Sequence, residues 1–302
     1  MSLDQFETDD VENNIILNDH SNDKNTILQE RMNKNMIKIT EQIKQVENIN
    51  QKIEMLLKLG YENNLISSIW SEENIYENTD AGRIFSLSDY NTKFLLEFHT
   101  NIGDKILDPF AGYLNTATNI LMNNRRYEGY EINEVFYQKL DQKLSLLKKN
   151  RQMMGLEDIN YKIYNLDSSN MVNKDKVDVV LTTLPELISA KKLHKTNNMI
   201  AVEYNEYINK ISQPLLRAYE RLKNGGFYII HFKDVLNGFI YKPIMTDITN
   251  LLNQFMAIQY LVILQQKVSP LTATTNVNVL KFYTEQTFPY THQYILCFRK
   301  GD

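Results

Sequence analysis

Three carboxylates stand at the ends of apolar runs in this chain of 302 residues: Asp108 closes KILD, Glu131 follows RYEGY, and Asp167 follows YKIYNL. Behind Asp108 come Pro109, Phe110, Ala111 and Gly112, then Asn115 and Thr116, which mark the start of a helical run. A strand, a tight turn and a helix amino terminus form a pocket of nucleotide type, with backbone amides turned toward the ligand. Glu131 lies nineteen positions after Gly112, the spacing at which an acidic residue ending the second strand grips ribose hydroxyls. Asp167 ends the third strand and can accept a hydrogen bond from an adenine amino group. Any one of these carboxylates could simply cap the next helix. Three of them on successive strand ends favour a ligand-binding edge.

To bring those ends to one edge the chain needs parallel strands joined by helices. Seven strand candidates follow in order: 105–110, 126–132, 161–167, 177–183, 226–234, 260–267 and 294–300. Helical patterns fall between most of them, notably at 114–122, 134–152, 206–222 and 243–255. The last two strands have no helix between them and can pair as an antiparallel hairpin. The expected fold is therefore α/β, a seven-stranded Rossmann-like sheet with a terminal hairpin, spanning residues 62–302. Residues 1–25 are acidic and aperiodic, the pattern of a disordered lead-in. Residues 26–61 read as one long helix stopped by Gly60. With Met36 at a heptad a position, Ile39, Ile43, Val46, Ile53 and Leu57 join the seam and Asn50 takes an a position. That helix can pair with a second copy or a partner protein, or pack on the chain's own domain.

Composition narrows the classes. The chain is 43% hydrophobic, enough for a substantial core, and nowhere offers the roughly 20 apolar residues of a membrane span. No membrane association and a cytoplasmic location are expected. Cys297, the single cysteine, lies in an apolar strand, so neither a disulfide framework nor a cysteine-based metal cluster forms within one chain, and no metal is expected. Net charge is −4, whereas a protein that grips phosphates unaided carries a basic surplus. Nucleic-acid contact must then be local or shared. Ten glycines are about half the usual share of roughly 7%, so some turns must be built without them.

The run GDKILDPFAGYLNTATNILMNNRRYEGYEIN resembles the cofactor-binding stretch of DNA methyltransferases that modify exocyclic amino groups of adenine or cytosine. In that family the turn reads DPFAGSGTT and the acidic residue sits in a phrase like GIEIN. Asp108, Pro109, Phe110, Ala111, Gly112, Glu131, Ile132 and Asn133 match. IWSEENIYENTDAGRIF, LLRAYERLKNGGFYIIHFKD and HQYILCFRK are similar to the branch in which the cofactor strand precedes the catalytic loop, so the likeness spans about residues 65–300. It implies S-adenosylmethionine as cofactor: Phe110 and Gly112 would border its methionine part, Glu131 would hold the ribose and Asp167 would meet the adenine. Asp108, Ala111 and Ile132 would belong to the same cofactor site, and Phe85 would close the pocket.

Two departures stand out. Tyr113-Leu114-Asn115 replaces Ser-Gly-Thr, putting bulk where a glycine lets backbone and ligand approach closely. In the catalytic loop, Thr182-Thr183-Leu184-Pro185-Glu186 stands where the family has TSPPY or DPPY. There the first polar side chain and the following carbonyl accept hydrogen bonds from the target amino group, and the aromatic stacks on the flipped base. Thr183 keeps an acceptor and Leu184 its carbonyl beside Pro185, but Glu186 removes the aromatic, and stacking contributes about 1–3 kcal/mol per base. The resemblance thus implies a DNA methyltransferase of impaired activity; the alternative is an inactive homologue serving as a nucleic-acid or partner scaffold. Lys191, Lys192 and Lys195 follow the loop where a strand of DNA would enter, and either touch phosphates or form a solvated charge run. Neither long connection in the domain can hold a separate recognition module. Specificity then falls to the amino-terminal helix, a second subunit or a partner.

Overall fold

The computed structural model describes residues 51–52, 54, 69–72, 75–79, 82–186, 204–237, 240–266 and 292–301. The chain divides into two compact units, Met1–Glu54 and Met55–Asp302. Of the first, the described residues Gln51, Lys52 and Glu54 are helical; the expected lead-in and the rest of the expected long helix, with its coiled-coil seam, lie outside the described residues.

The second unit is built on one sheet. In its central part β4 (Lys105–Asp108), β5 (Arg126–Tyr130), β6 (Tyr161–Tyr164), β7 (Val177–Thr183) and β8 (Leu222–Phe232) pair in parallel in the order β6-β5-β4-β7-β8. Beyond β8 the sheet continues through β12 (His292–Lys300) to β11 (Met256–Gln266), both contacts antiparallel. The expected antiparallel pairing of the last two strands is present. The strand count differs: among the described residues the sheet has eight strands, because β1 (Ile69–Glu72) adds to β11 in parallel, Ile69 opposite Ile263. Four residues are too few for an alternation to register as a strand, and β1 exists because β11 offers it an edge. Two small hairpins were likewise illegible, β2 (Ile75–Thr79) with β3 (Gly82–Ser86) and β9 (Val235–Asn237) with β10 (Ile240–Lys242).

Both faces of the sheet are apolar, so the central strands read as nearly continuous hydrophobic runs. Ile106, Val179, Leu181, Ile229, Ile295 and Cys297 pack against α1 (Asp89–His99), α2 (Thr116–Met122) and α3 (Glu134–Met153). Their sequence neighbours Leu107, Val180, Tyr228, Ile230, Leu296 and Phe298 pack on the other side against α4 (Tyr204–Arg221) and α5 (Ile244–Leu252). Cys297 is a buried free thiol, and burial pushes its pKa up to about 12. Helix α3 starts where Asn133 Oδ1 accepts the amides of Val135 and Phe136 and ends where Gly155, at φ +68°, closes the last turn. These caps hold Glu131, two residues before Asn133, at a fixed height above the sheet.

Candidate active site

At the carboxyl edge of β4, β5, β6 and β7 lies a cavity of about 650 Å³, within the roughly 300–1,000 Å³ of small-molecule sites. Asp108, Phe110, Ala111, Gly112, Glu131, Ile132, Asp167, Thr183, Leu184, Pro185 and Glu186 all line it. Residues separated by up to 78 positions in sequence thus border one space. Ile132 sits at its rim, 69% exposed. Phe85 pairs with Tyr76 in the β2–β3 hairpin, but its side chain lies outside the described residues, as do Lys191, Lys192 and Lys195.

The turn after β4 is held by the two carboxylates. Gly112 takes φ +54°, a left-handed conformation that disfavours any side chain. Its amide donates to Glu131 Oε2 at 2.8 Å, and the Asn133 amide donates to Glu131 Oε1 at 2.8 Å. Each Glu131 oxygen keeps lone pairs beyond these bonds. Burial raises the Glu131 pKa, and hydrogen bonds from the Asn133, Gly112 and Ile132 amides offset part of the rise. Asp108 is fully enclosed. Its Oδ1 accepts the Thr182 hydroxyl at 2.6 Å and the Phe110 amide at 3.1 Å. Burial nevertheless pushes its pKa up to about 7, against those two bonds and with the help of the nearby Glu131 charge. Asp167 both caps and faces the cavity: its Oδ1 accepts the Ser169 amide at 2.8 Å and so starts the 3-10 turn Ser168–Asn170.

The bulk at Tyr113 does not fill the cavity. Its side chain is 7% exposed and packs beside Phe136, ring centroids 5.1 Å apart, with Lys139 Nζ 4.4 Å from the Tyr113 ring centroid. Lys143 reaches from α3 to the carbonyls of Tyr113 and Leu114 and to Asn115 Oδ1. A lysine tether thus orders a turn that has a single glycine, Gly112. Leu114 does line the cavity.

The loop after β7 is likewise braced. The Leu184 amide donates to the His231 carbonyl at 2.9 Å, and the Tyr207 hydroxyl donates to the Pro185 carbonyl at 2.9 Å. Glu186 pairs with Lys233, so its carboxylate does not present a bare charge. Tyr207 lines the cavity beside this loop and does not stand out in the sequence; its place in an amphipathic helix looks like any core aromatic. His231 is equally inconspicuous there. Its Nδ1 lies 3.1 Å from Thr183 Oγ1 and its Nε2 2.6 Å from Gln293 Oε1. The only sequence signal is a histidine inside the apolar strand GFYIIHF. Among the described residues no group of histidine, cysteine and carboxylate side chains is disposed to hold a metal, and no helix is long and apolar enough to cross a membrane.

Reading the main sheet from β6, the chain order is third, second, first, fourth, fifth, seventh, sixth, with the seventh strand antiparallel. That order, with an acidic carboxyl edge, makes this an α/β, Rossmann-like domain. No family model matches the sequence, and no curated protein matches it. Among solved structures the chain is similar to TrmN from Thermus thermophilus, at a TM-score of 0.44 and 14% identity over 71% of this chain and 49% of that one. It therefore spans about half the length of that protein. It is also similar to an rRNA methylase from Streptococcus thermophilus (TM-score 0.42, 12% identity, 70% of this chain and 95% of that one). A third similar structure is the magnesium protoporphyrin IX methyltransferase of Synechocystis with bound S-adenosylmethionine (TM-score 0.43, 13% identity, 70% and 77%).

Proposed function

We propose that this chain is an S-adenosylmethionine-dependent methyltransferase acting on an exocyclic amino group of adenine or cytosine in DNA. The observation that carries this reading is one cavity lined both by the Asp108–Gly112 turn with Glu131 and Asp167 and by Thr183–Glu186. A methylation site needs a place for the donor and a place for the acceptor that share one wall, because the reacting atoms must come within about 3–3.5 Å.

The residues present fit the cofactor. Glu131 is oriented by two backbone amides with lone pairs left for ribose hydroxyls, and Phe110, Ala111, Leu114 and Leu166 supply apolar walls. Asp167 stands three residues beyond the end of β6, where an adenine amino group would find an acceptor. When bound, the cofactor supplies an electrophilic methyl group on a sulfonium sulfur. Thr183 Oγ and the Leu184 carbonyl are the acceptors that would draw on the target amino group. Tyr207 and Pro185 support that loop through their hydrogen bond, replacing the rigidity of the missing first proline. The Glu186–Lys233 pair lowers the repulsion a carboxylate would exert on a phosphate. With a net charge of −4, DNA binding is assigned partly to a second copy or a partner methyltransferase acting through the amino-terminal helix.

Calorimetric titration of the full chain with S-adenosylmethionine and its demethylated product, followed by radiolabelled methyl transfer to DNAs of varied sequence, tests the reading. Saturable binding that Glu131→Ala abolishes, with label recovered in N-methylated bases, is the expected result. Binding without transfer to any DNA would favour a scaffold; transfer to RNA alone would move the substrate class.

A further inference from the structure

One polar chain crosses three strands at the same edge. Thr183 ends β7, His231 is the penultimate residue of β8, and Gln293 is the second residue of β12. Thr183 pairs with His231 across the β7–β8 contact, and His231 pairs with Ile295 across the β8–β12 contact. Gln293, two residues from Ile295, therefore shares the face of His231. His231 is fully buried and Gln293 is 5% exposed, while Thr183 lines the cavity. Polarity thus runs from the cavity wall into the sheet.

The direction of each hydrogen bond follows from the donors available. Burial lowers the His231 pKa to about 4, with the Lys233 charge acting in the same sense and the Gln293 bond opposing, so the ring is neutral at pH 7. Gln293 Oε1 carries no proton, which requires His231 Nε2 to donate to it across 2.6 Å. A neutral imidazole has only one N–H, so Nδ1 is an acceptor. Across 3.1 Å the Thr183 hydroxyl must then be the donor. With its only proton turned inward, Thr183 Oγ presents lone pairs alone to the cavity. A purely structural contact between β7, β8 and β12 would be served at lower desolvation cost by apolar side chains, such as Ile229 and Ile295 on the same face.

We propose that His231 is the positioning residue and proton sink of Thr183: it fixes the threonine hydroxyl as an acceptor for the target amino group, and takes the proton released when that nitrogen is methylated. This rests on the amino-methylation reading above. In the proton step an N–H bond of the methylated nitrogen breaks, its electron pair stays on that nitrogen, and an O–H bond forms at Thr183. The original Thr183 O–H breaks as an N–H forms at His231 Nδ1. The positive charge ends on the imidazolium, whose Nε2–H still donates to Gln293. Buried as it is, the imidazolium returns the proton along the same path to water entering the cavity after product leaves. The product nitrogen is a far stronger acid than an imidazolium, so even a base weakened by burial suffices.

Two measurements test this. In the full chain labelled with ¹⁵N-histidine, with His231 assigned by the His231→Asn spectrum, NMR should show Nε2 protonated and Nδ1 bare, and Thr183→Val should shift Nδ1 selectively. A protonated Nδ1 in the wild type overturns the proposal whether or not the chain methylates anything. In methyl transfer, His231→Leu and Thr183→Val should each lower kcat about 100-fold with KM little changed, and the double variant should be no slower than either single one. His231→Asn, which can accept from Thr183 but cannot take its proton, should retain the KM and recover part of the kcat. A His231→Leu enzyme within threefold of wild type would overturn the proton role. If His231→Leu does not fold, Thr183→Val and the histidine spectrum still decide. A wild-type chain that methylates no amine refutes the functional reading and the proton sink together, and leaves the tautomer to report on the positioning alone.

Discussion

Glu128 and Glu131 are three residues apart, the first inside β5 and the second just past its end, and they are held in opposite ways. Glu128 is fully buried among cations: Arg221 contacts both its oxygens, Lys105 Nζ lies 2.7 Å from Oε2, and Asn173 and Tyr130 donate to it as well. Burial alone would raise its pKa, but Arg221 and Lys105 together hold it below the ordinary value. Glu131 is met by backbone amides, and its pKa is raised by burial, as is that of Asp108. One carboxylate is saturated by permanent counter-charges; the other two keep capacity for something that arrives. Saturation marks a structural anchor tying β4, β5 and the end of α4, whereas unspent capacity at a cavity wall marks a binding edge.

The sharpest way to break this contrast is to remove the anchor's main cation. Arg221→Ala leaves Glu128 with Lys105, Asn173 and Tyr130 in a buried site and also frees the Asp175 carbonyl that Arg221 holds. A loss of about 3–5 kcal/mol is expected, read as a fall in the urea midpoint at unchanged slope. A loss under 1 kcal/mol would mean that Glu128 is not the anchor described.

At the cavity the corresponding change should stabilise. Asp108→Asn imitates the protonated carboxyl and keeps both hydrogen-bond acceptor roles of Oδ1. Because the folded pKa of about 7 exceeds the unfolded 3.8, the wild-type group contributes stability below pH 4 that is lost as pH rises through 7. Asp108→Asn should therefore gain about 2–4 kcal/mol over wild type at pH 8, with the gain vanishing toward pH 4. His231 opposes this across much of the same range. Its pKa is depressed to about 4, so its contribution is present above 6.5 and lost as pH falls through 4. Denaturant midpoints of both proteins from pH 4 to 8 measure the difference directly, which isolates Asp108 from His231.

Much of this edge is legible in the amino-acid sequence, for a local reason. Asp108, Gly112 and Glu131 act through the turn and strand ends they occupy, and turns and alternation are written in neighbouring residues. What the sequence hides depends on partners far along the chain. Tyr113 reads as an obstruction until Phe136 and Lys139 draw it into the core. Glu186 reads as a lone charge until Lys233 answers it. His231 reads as an oddity in an apolar strand until β7 and β12 bring Thr183 and Gln293 to it. Strand β1 depends wholly on the edge of β11.

Gly129, between the two glutamates, tests whether the anchor and the edge are mechanically separate. A Cβ there would lie 2.5 Å from Tyr127 Oη, because the tyrosine ring folds over the glycine. Gly129→Ala must therefore displace a fully enclosed ring, at a cost of about 1–3 kcal/mol. Since Tyr127 packs in the layer under α1 to α3 while Glu128 faces α4, cofactor affinity should change less than threefold. A larger change by calorimetry would make β5 a single unit in which core packing sets the height of Glu131.

The smallest effect on folding should come at Glu131, the residue proposed to hold the ribose. Glu131→Gln keeps one acceptor for the amides of Gly112 and Asn133 and loses the other, but it also removes a charge that burial disfavours. These terms oppose, so stability should stay within about 1 kcal/mol of wild type. Binding has no such compensation: an amide nitrogen cannot accept a ribose hydroxyl, so affinity for S-adenosylmethionine should fall at least about tenfold, roughly 1.4 kcal/mol. Thermal midpoints with and without ligand separate the two quantities, since ligand raises the midpoint only in proportion to its binding. If Glu131→Gln unfolded the chain as Arg221→Ala is expected to, Glu131 would be a second anchor, and the contrast with Glu128 would collapse.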